Sequence, residues 1–240
     1  MRKGLAFTLA LALILALCGC GATASQPAAK TQAPAVETDT PEPTDEPETE
    51  SAEDVSAPED TASETGSRIL VVYFSRTGEN YTVGTIDKGN TAIVAEMIEA
   101  ETGADLFEIV PVTPYPDSYD ECLEVATEEQ RSNVRPAYVG EVENWESYDI
   151  VFFGYPIWWG DLPMIAYTFL EGHDWSGKTV IPFNTHEGSG QGGTQRTVEE
   201  LCSGAEIIDG LAVRGGTAQN DREAAESSVR DWLGGMVFFG

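Results

Sequence analysis

Basic residues are scarce in this chain. Thirteen Lys and Arg stand against 41 Asp and Glu, a formal net charge of −28 over 240 residues. No basic patch remains to track a phosphate polymer, which argues against a nucleic-acid partner. Histidine is scarcer still, with His173 and His186 the two copies, and no Ser-His-Asp grouping suggests a hydrolase. The pattern G-x-x-x-x-G-K-[ST] is missing, so nucleotide triphosphate hydrolysis has no support. Four cysteines occur. Cys122 and Cys202 fall in separate helical patterns, so two free thiols are expected even in an oxidising compartment. There are no internal repeats.

The first stretch, MRKGLAFTLALALILALCGC, has a basic start at Arg2 and Lys3, an apolar run from Leu5 to Leu17 and small residues at its end. That is a secretory signal pattern, too short to span a membrane comfortably. Its ending resembles a bacterial lipobox, with Leu17 three before Cys20 and Gly19 just before it. The resemblance implies cleavage after residue 19, a lipid on Cys20 and a place on the extracytoplasmic face of a bacterial membrane. An ordinary secretory signal is the alternative. Residues 20–67 are rich in Pro, Thr, Ser, Glu and Ala; they bury too little to fold and read as an acidic tether. The signal carries +2, the tether −11 and the remainder −19.

From Arg68 onward, apolar runs alternate with helical ones. ILVVYF (69–74) reads as a strand buried on both faces. TAIVAEMIEAETG follows, with Ile93/Met97 and Val94/Ile98 as i, i+4 pairs and Gly103 as a stop. DLFEIVP, YDIVFFGYP, KTVIPF and AEIIDGLAVRG are the further strands. The further helices are SYDECLEVATEEQR, opened by Pro116, Asp117 and Ser118; LPMIAYTFLEG, with Pro163 early; TQRTVEELCSG; and DREAAESSVRDWLGG, capped by Asn220 or Asp221. Five βα units predict one domain over 68–240, an α/β parallel sheet covered on both faces. The closing MVFFG is apolar and belongs to none of these elements.

Three loops carry the chemistry. After the first strand, Ser75, Arg76, Thr77 and Gly78 are parted from Asn90 and Thr91 by the eleven residues Glu79–Gly89. A helix start offers unpaired N–H groups, hydroxyls donate, and Gly78 permits close approach. Such a nest holds a phosphomonoester without basic side chains; a polar turn with a threonine cap is the plainer reading. Asn80-Tyr81-Thr82 matches a glycosylation sequon, a coincidence in a bacterial lipoprotein. After the third strand comes GYPIWWGDLP, with Pro156, Ile157, Trp158, Trp159 and Gly160. Two indoles in a turn are hard to place in a core and suit a flat ring; packing on a neighbouring helix is the alternative, and which indole would stack stays open. After the fourth strand lies FNTHEGSGQGGT. Gly188, Gly190 and Gly193 satisfy G-x-G-x-x-G, with Asp209 at a suggestive distance, but a dinucleotide fingerprint belongs to the first βα turn. Thr185, His186, Glu187, Gly188, Ser189 and Gly190 read better as backbone donors to the rim of a ring.

Together the three loops resemble those of the flavodoxin-like family, particularly its group with a long first loop. TPYPDSYDEC, Arg135-Pro136, ENWESYDIVFFGYPIWW and GSGQGGT carry the resemblance, which covers nearly all of 68–235. It implies a flavodoxin-like, doubly wound, five-stranded parallel sheet of order 2-1-3-4-5. It also implies noncovalent FMN held by the residues of the three loops, and electron transfer; the first-loop insertion departs from the shortest flavodoxins and would let Asn80 or Tyr81 fold back over the flavin. An acidic surround disfavours an anionic hydroquinone, so a low potential for the last electron is expected. Charge favours a redox partner with a basic surface over NAD(P)H, although the family also includes FMN-dependent NAD(P)H:quinone reductases. A surface scaffold or solute-binding lipoprotein without redox turnover is the alternative of a different class.

Overall fold

The computed structural model describes residues 68–236. The signal segment, Cys20, the acidic tether and the last four residues of MVFFG lie outside the described residues. In chain order the elements are β1 (Ile69–Tyr73), β2 (Gly78–Asn80), β3 (Gly84–Ile86), α1 (Asn90–Thr102), β4 (Asp105–Glu108), β5 (Val110–Pro111), α2 (Tyr119–Arg131), β6 (Tyr138–Val139), β7 (Ile150–Pro156), α3 (Met164–Glu171), β8 (Thr179–His186), α4 (Thr194–Leu201), β9 (Glu206–Ile207), β10 (Leu211–Arg214), α5 (Gly215–Asn220) and α6 (Arg222–Gly234). The main sheet runs β4-β1-β7-β8-β10, with β9 also on β8, and every pairing in it is parallel. Counted by strand position this is the order 2-1-3-4-5, as expected.

Strand alternation divides the core between two faces. Val71, Tyr73, Ile150, Phe152, Ile181 and Phe183 pack against α1 and α6. Leu70, Val72, Phe74, Val151, Phe153 and Tyr155 pack on the side of α3 and α4. The two predicted α1 pairs, Ile93/Met97 and Val94/Ile98, are all buried, each aliphatic side chain contributing about 1.5–3 kcal/mol. Gly103 ends α1 at φ 68°, its N–H reaching the Glu99 carbonyl at 2.7 Å; the left-handed turn there suits glycine. Ser118 caps α2, and Asp221, not Asn220, caps α6. Cys122 and Cys202 are free and buried.

Several elements depart from the sequence reading. The first-loop insertion is an ordered antiparallel hairpin of β2 and β3. The segment between the fifth strand and the last helix, to which the sequence pattern assigns no element, winds into α5. The fifth strand itself is broken. β9 pairs Val180 with Ile207, whereas β10 pairs Phe183 with Leu211, so one extra residue bulges out between them. The reason lies in β8. Bonds from Glu206 N–H to the Lys178 carbonyl and from Ile208 N–H to the Val180 carbonyl turn the even-numbered β8 groups toward this edge. Pro182, which has no N–H, therefore faces the bulge. Gln195 and Gln191 of α4 and the loop before it satisfy the Gly210 N–H (3.0 Å) and carbonyl (2.7 Å) instead.

Candidate functional site

The carboxyl ends of β1, β7 and β8 meet at the point where the strand order reverses, and there the surface opens into a cleft with a volume of about 200 Å³. Its walls come from all three loops and from α2.

At one end sits the split first loop. Its halves meet closely enough that a Cβ on Gly89 would lie 2.6 Å from the Arg76 carbonyl oxygen. The Ser75 hydroxyl accepts the Ala92 N–H at 3.0 Å, and the Gly89 carbonyl accepts the Ile93 N–H. The latter is the first intrahelical bond; of the four N–H groups without an intrahelical acceptor, those of Gly89 to Ala92, the serine satisfies Ala92, which leaves the amides of Gly89, Asn90 and Thr91 unpaired among the described residues and open to an anion. Gln219 donates to the Asn90 carboxamide oxygen at 2.9 Å, so the Asn90 Nδ2 is a further donor. Thr91 is buried and its hydroxyl shares a 2.8 Å bond with that of Thr185, so it supports the loop from beneath.

Arg76 lines the cleft, but its guanidinium is committed elsewhere. It donates to the carbonyls of Pro116, Glu79, Asp117 and Ser118 at 2.6–3.2 Å. These bonds strap the hairpin to the start of α2. Asn80 Nδ2 faces the carbonyls of Arg76, Thr77 and Gly78. Thr77 and Gly78 border a separate shallow groove beside Glu79, Asp87 and Asp117.

At the other end the tryptophan turn shows a division of labour. Trp158 packs edge-on against Phe74 and Tyr115, with ring centres 5.5 and 5.0 Å away. The expectation that neither indole belongs to a core is corrected for this one. Trp158 and Asp161 exchange backbone bonds of 2.9 and 3.0 Å, closing a two-residue hairpin turn. Its central residues, Trp159 and Gly160, have φ of 53° and 78°, the signature of a primed turn. Left-handed backbone costs a bulky residue about 1–2 kcal/mol, yet the side chain recovers little by burial, since Trp159 is 57 % exposed. Strain that serves no packing points to function. The Asp161 carboxylate steadies the turn by accepting from Leu162 N–H and the Tyr167 hydroxyl.

β8 runs further than expected, so Thr185 and His186 end a strand and do not begin a loop. Both line the cleft with Glu187. The Glu187 carboxylate accepts the Gly216 N–H at 2.8 Å and lies 3.9 Å from Arg214, which leaves it little to offer a ligand. Gly188, Ser189 and Gly190 pass beyond the cleft wall; buried Asn184 holds that loop through the Gly190 carbonyl. Gly160 lies in its turn, close to Gly192 of the glycine loop.

The sequence reading did not include the α2 wall. Tyr119, Cys122, Leu123 and Ala126 line the cleft, an i, i+3, i+4, i+7 stripe that could have been noticed as a face left without a partner. Tyr81, 59 % exposed at the hairpin turn, stacks on Tyr119 at 5.9 Å. Burial raises the Cys122 thiol pKa despite nearby Arg76.

A cleft at a topological switch point, with free helix amides at one end and exposed aromatics at the other, defines an α/β protein whose site has the donors and faces to receive a flat, phosphorylated ligand. The chain belongs to the flavodoxin family, whose model, described as Flavodoxin, matches residues 68–233. A candidate flavoprotein from Bacteroides eggerthii DSM 20697 is 35 % identical, with a TM-score of 0.57, and the match covers 70 % of this chain and 97 % of that one. A second, from Bacteroides uniformis ATCC 8492, is 27 % identical at a TM-score of 0.55, covering 69 % and 99 %. A flavoprotein from Lactobacillus acidophilus NCFM, solved in complex with FMN, is 22 % identical at a TM-score of 0.49, covering 63 % and 95 %. No curated protein matches the chain.

Proposed function

We propose that the protein is an FMN-binding electron-transfer flavoprotein, held on the extracytoplasmic face of a bacterial membrane by a lipid on Cys20. The observation that carries the FMN reading is the pairing of unspent α1 amides with the exposed, strained Trp159 across one cleft. The donor set suits the cofactor. A phosphomonoester needs N–H groups and no positive charge at a helix start, and Asn90 and Thr91 supply them. A flat heteroaromatic ring needs apolar faces, which Ile157, Trp159 and the α2 stripe supply. FMN would bring one- and two-electron redox chemistry; the residues named here would bind it, orient it and exclude water from its faces.

Membership in the flavodoxin family supports this reading, and the charge of the chain supports a basic protein as redox partner. The tether would hold the domain away from the bilayer so that such a partner can reach the cleft. Purified protein mixed with FMN should quench the flavin's fluorescence and give a perturbed yellow spectrum that bleaches under dithionite. Bound flavin that never reduces would favour a scaffold, and rapid NAD(P)H oxidation with a quinone would favour a reductase. No uptake of FMN at high concentration would refute the proposal.

A further inference from the structure

We propose that His186 is the cleft's neutral hydrogen-bond donor, presenting Nε2–H to acceptor atoms on the rim of the bound ring while Nδ1 locks the turn that follows β8. The inference rests on the FMN reading and goes beyond it by assigning one residue the selection of what the cleft accepts.

β8 carries the imidazole to the cleft wall. The Gly188 N–H donates to its Nδ1 at 2.9 Å, closing a tight turn across Glu187. A ring nitrogen that accepts a hydrogen bond carries no proton, so the neutral imidazole holds its one proton on Nε2. No partner for Nε2 occurs among the described residues, and that group is left to serve the cleft. Two charged groups face the ring from the elements around it. Glu187, next in the chain, favours the charged imidazole, and Arg214, the register neighbour on β10, disfavours it. Burial, the larger effect, acts with Arg214 against Glu187 and holds the pKa below the ordinary histidine value. The second cation near the cleft, Arg76, is already spent on four carbonyls.

His186 is therefore neutral at pH 7, and its donor is fixed by the fold. With Nδ1 occupied it can donate but not accept. Ring carbonyl oxygens and imine nitrogens satisfy it; a rim that presents N–H does not, because two donors would then face each other without an acceptor. Protonation at Nδ1 would set N–H against N–H at Gly188 and open the turn.

The test uses the 15N-labelled full chain. Long-range 1H–15N correlations of the imidazole at pH 7 should show Nδ1 bare and Nε2 protonated before any flavin is added. FMN should then move the Nε2 resonance. His186→Phe, which keeps a flat apolar side chain, should bind FMN roughly three- to tenfold more weakly, the worth of one net hydrogen bond. His186→Gln, which restores a donor, should recover affinity to within about threefold. A proton on Nδ1, an Nε2 resonance that ignores bound FMN, or a Phe variant that binds as the wild type does would overturn the assignment while leaving the cofactor reading intact. Absence of FMN binding by the wild type would overturn both.

Discussion

Gly89→Ala isolates the phosphate end of the cleft. The φ of Gly89 is −68°, a backbone that alanine adopts freely, so the cost is steric alone. The added Cβ would lie 2.2 Å from the Ser75 hydroxyl oxygen, 2.6 Å from the Arg76 carbonyl oxygen and 2.9 Å from its nitrogen. The serine could rotate away; the backbone cannot. Ordinary contact begins at 3.4 Å, so the Arg76 carbonyl must retreat by about 0.8 Å. Overpacking of this kind costs about 1–3 kcal/mol. Losing the Ser75 bond to the Ala92 N–H adds about 1 kcal/mol. The sum, roughly 2–4 kcal/mol, lowers Tm by roughly 4–16 °C for a domain of this size. The displaced backbone is also the wall that faces the free α1 amides. Fluorescence titration at a temperature where the variant is folded should show FMN bound roughly tenfold or more weakly, about 1.4 kcal/mol. Riboflavin, which lacks the phosphate, should change by less than about threefold, under 0.7 kcal/mol. Equal losses for both flavins, or none for FMN, would refute the placement of the phosphate.

Trp159→Gly should weaken flavin binding yet leave Tm unchanged or raised, since it removes about 1–2 kcal/mol of left-handed strain against about 0.5–1 kcal/mol of added chain entropy; a clear fall in Tm would show that the indole is structural. Trp158→Ala should instead lower stability by about 3 kcal/mol, near the lower end for tryptophan truncation because the side chain is half-buried, as read by denaturant unfolding. Burial pushes the Cys202 thiol up to about 12 and raises that of Cys122, so neither should be alkylated at pH 8 until the protein is unfolded, as mapped by mass spectrometry. Arg135 holds Glu171 below the ordinary carboxylate range. A depressed carboxylate contributes stability above its unfolded pKa and loses it as pH falls through its folded pKa, so Glu171→Gln should flatten the acid limb of Tm against pH.

The strand and helix order, the burial of α1 by its i, i+4 pairs and the convergence of three loops on one sheet edge were legible in the chain. The last follows from topology alone: parallel strands all end on the same side. Local pattern could not divide Trp158 from Trp159, because both sit in one turn and only the positions of Phe74 and Tyr115 decide which indole is covered. It could not foresee that Arg76 would be spent on the α2 start, since those carbonyls lie forty residues away. The α2 wall was hidden for a similar reason: an amphipathic stripe does not say what it faces. By itself the sequence pattern determined a parallel sheet covered on both faces and the rim that carries its site, because alternation and βα order act through neighbouring residues; the doubly wound strand order was implied by the family resemblance. Only the tertiary structure decided which side chains are free to meet a ligand, because a donor or an aromatic face is available only where distant parts of the fold leave it unclaimed.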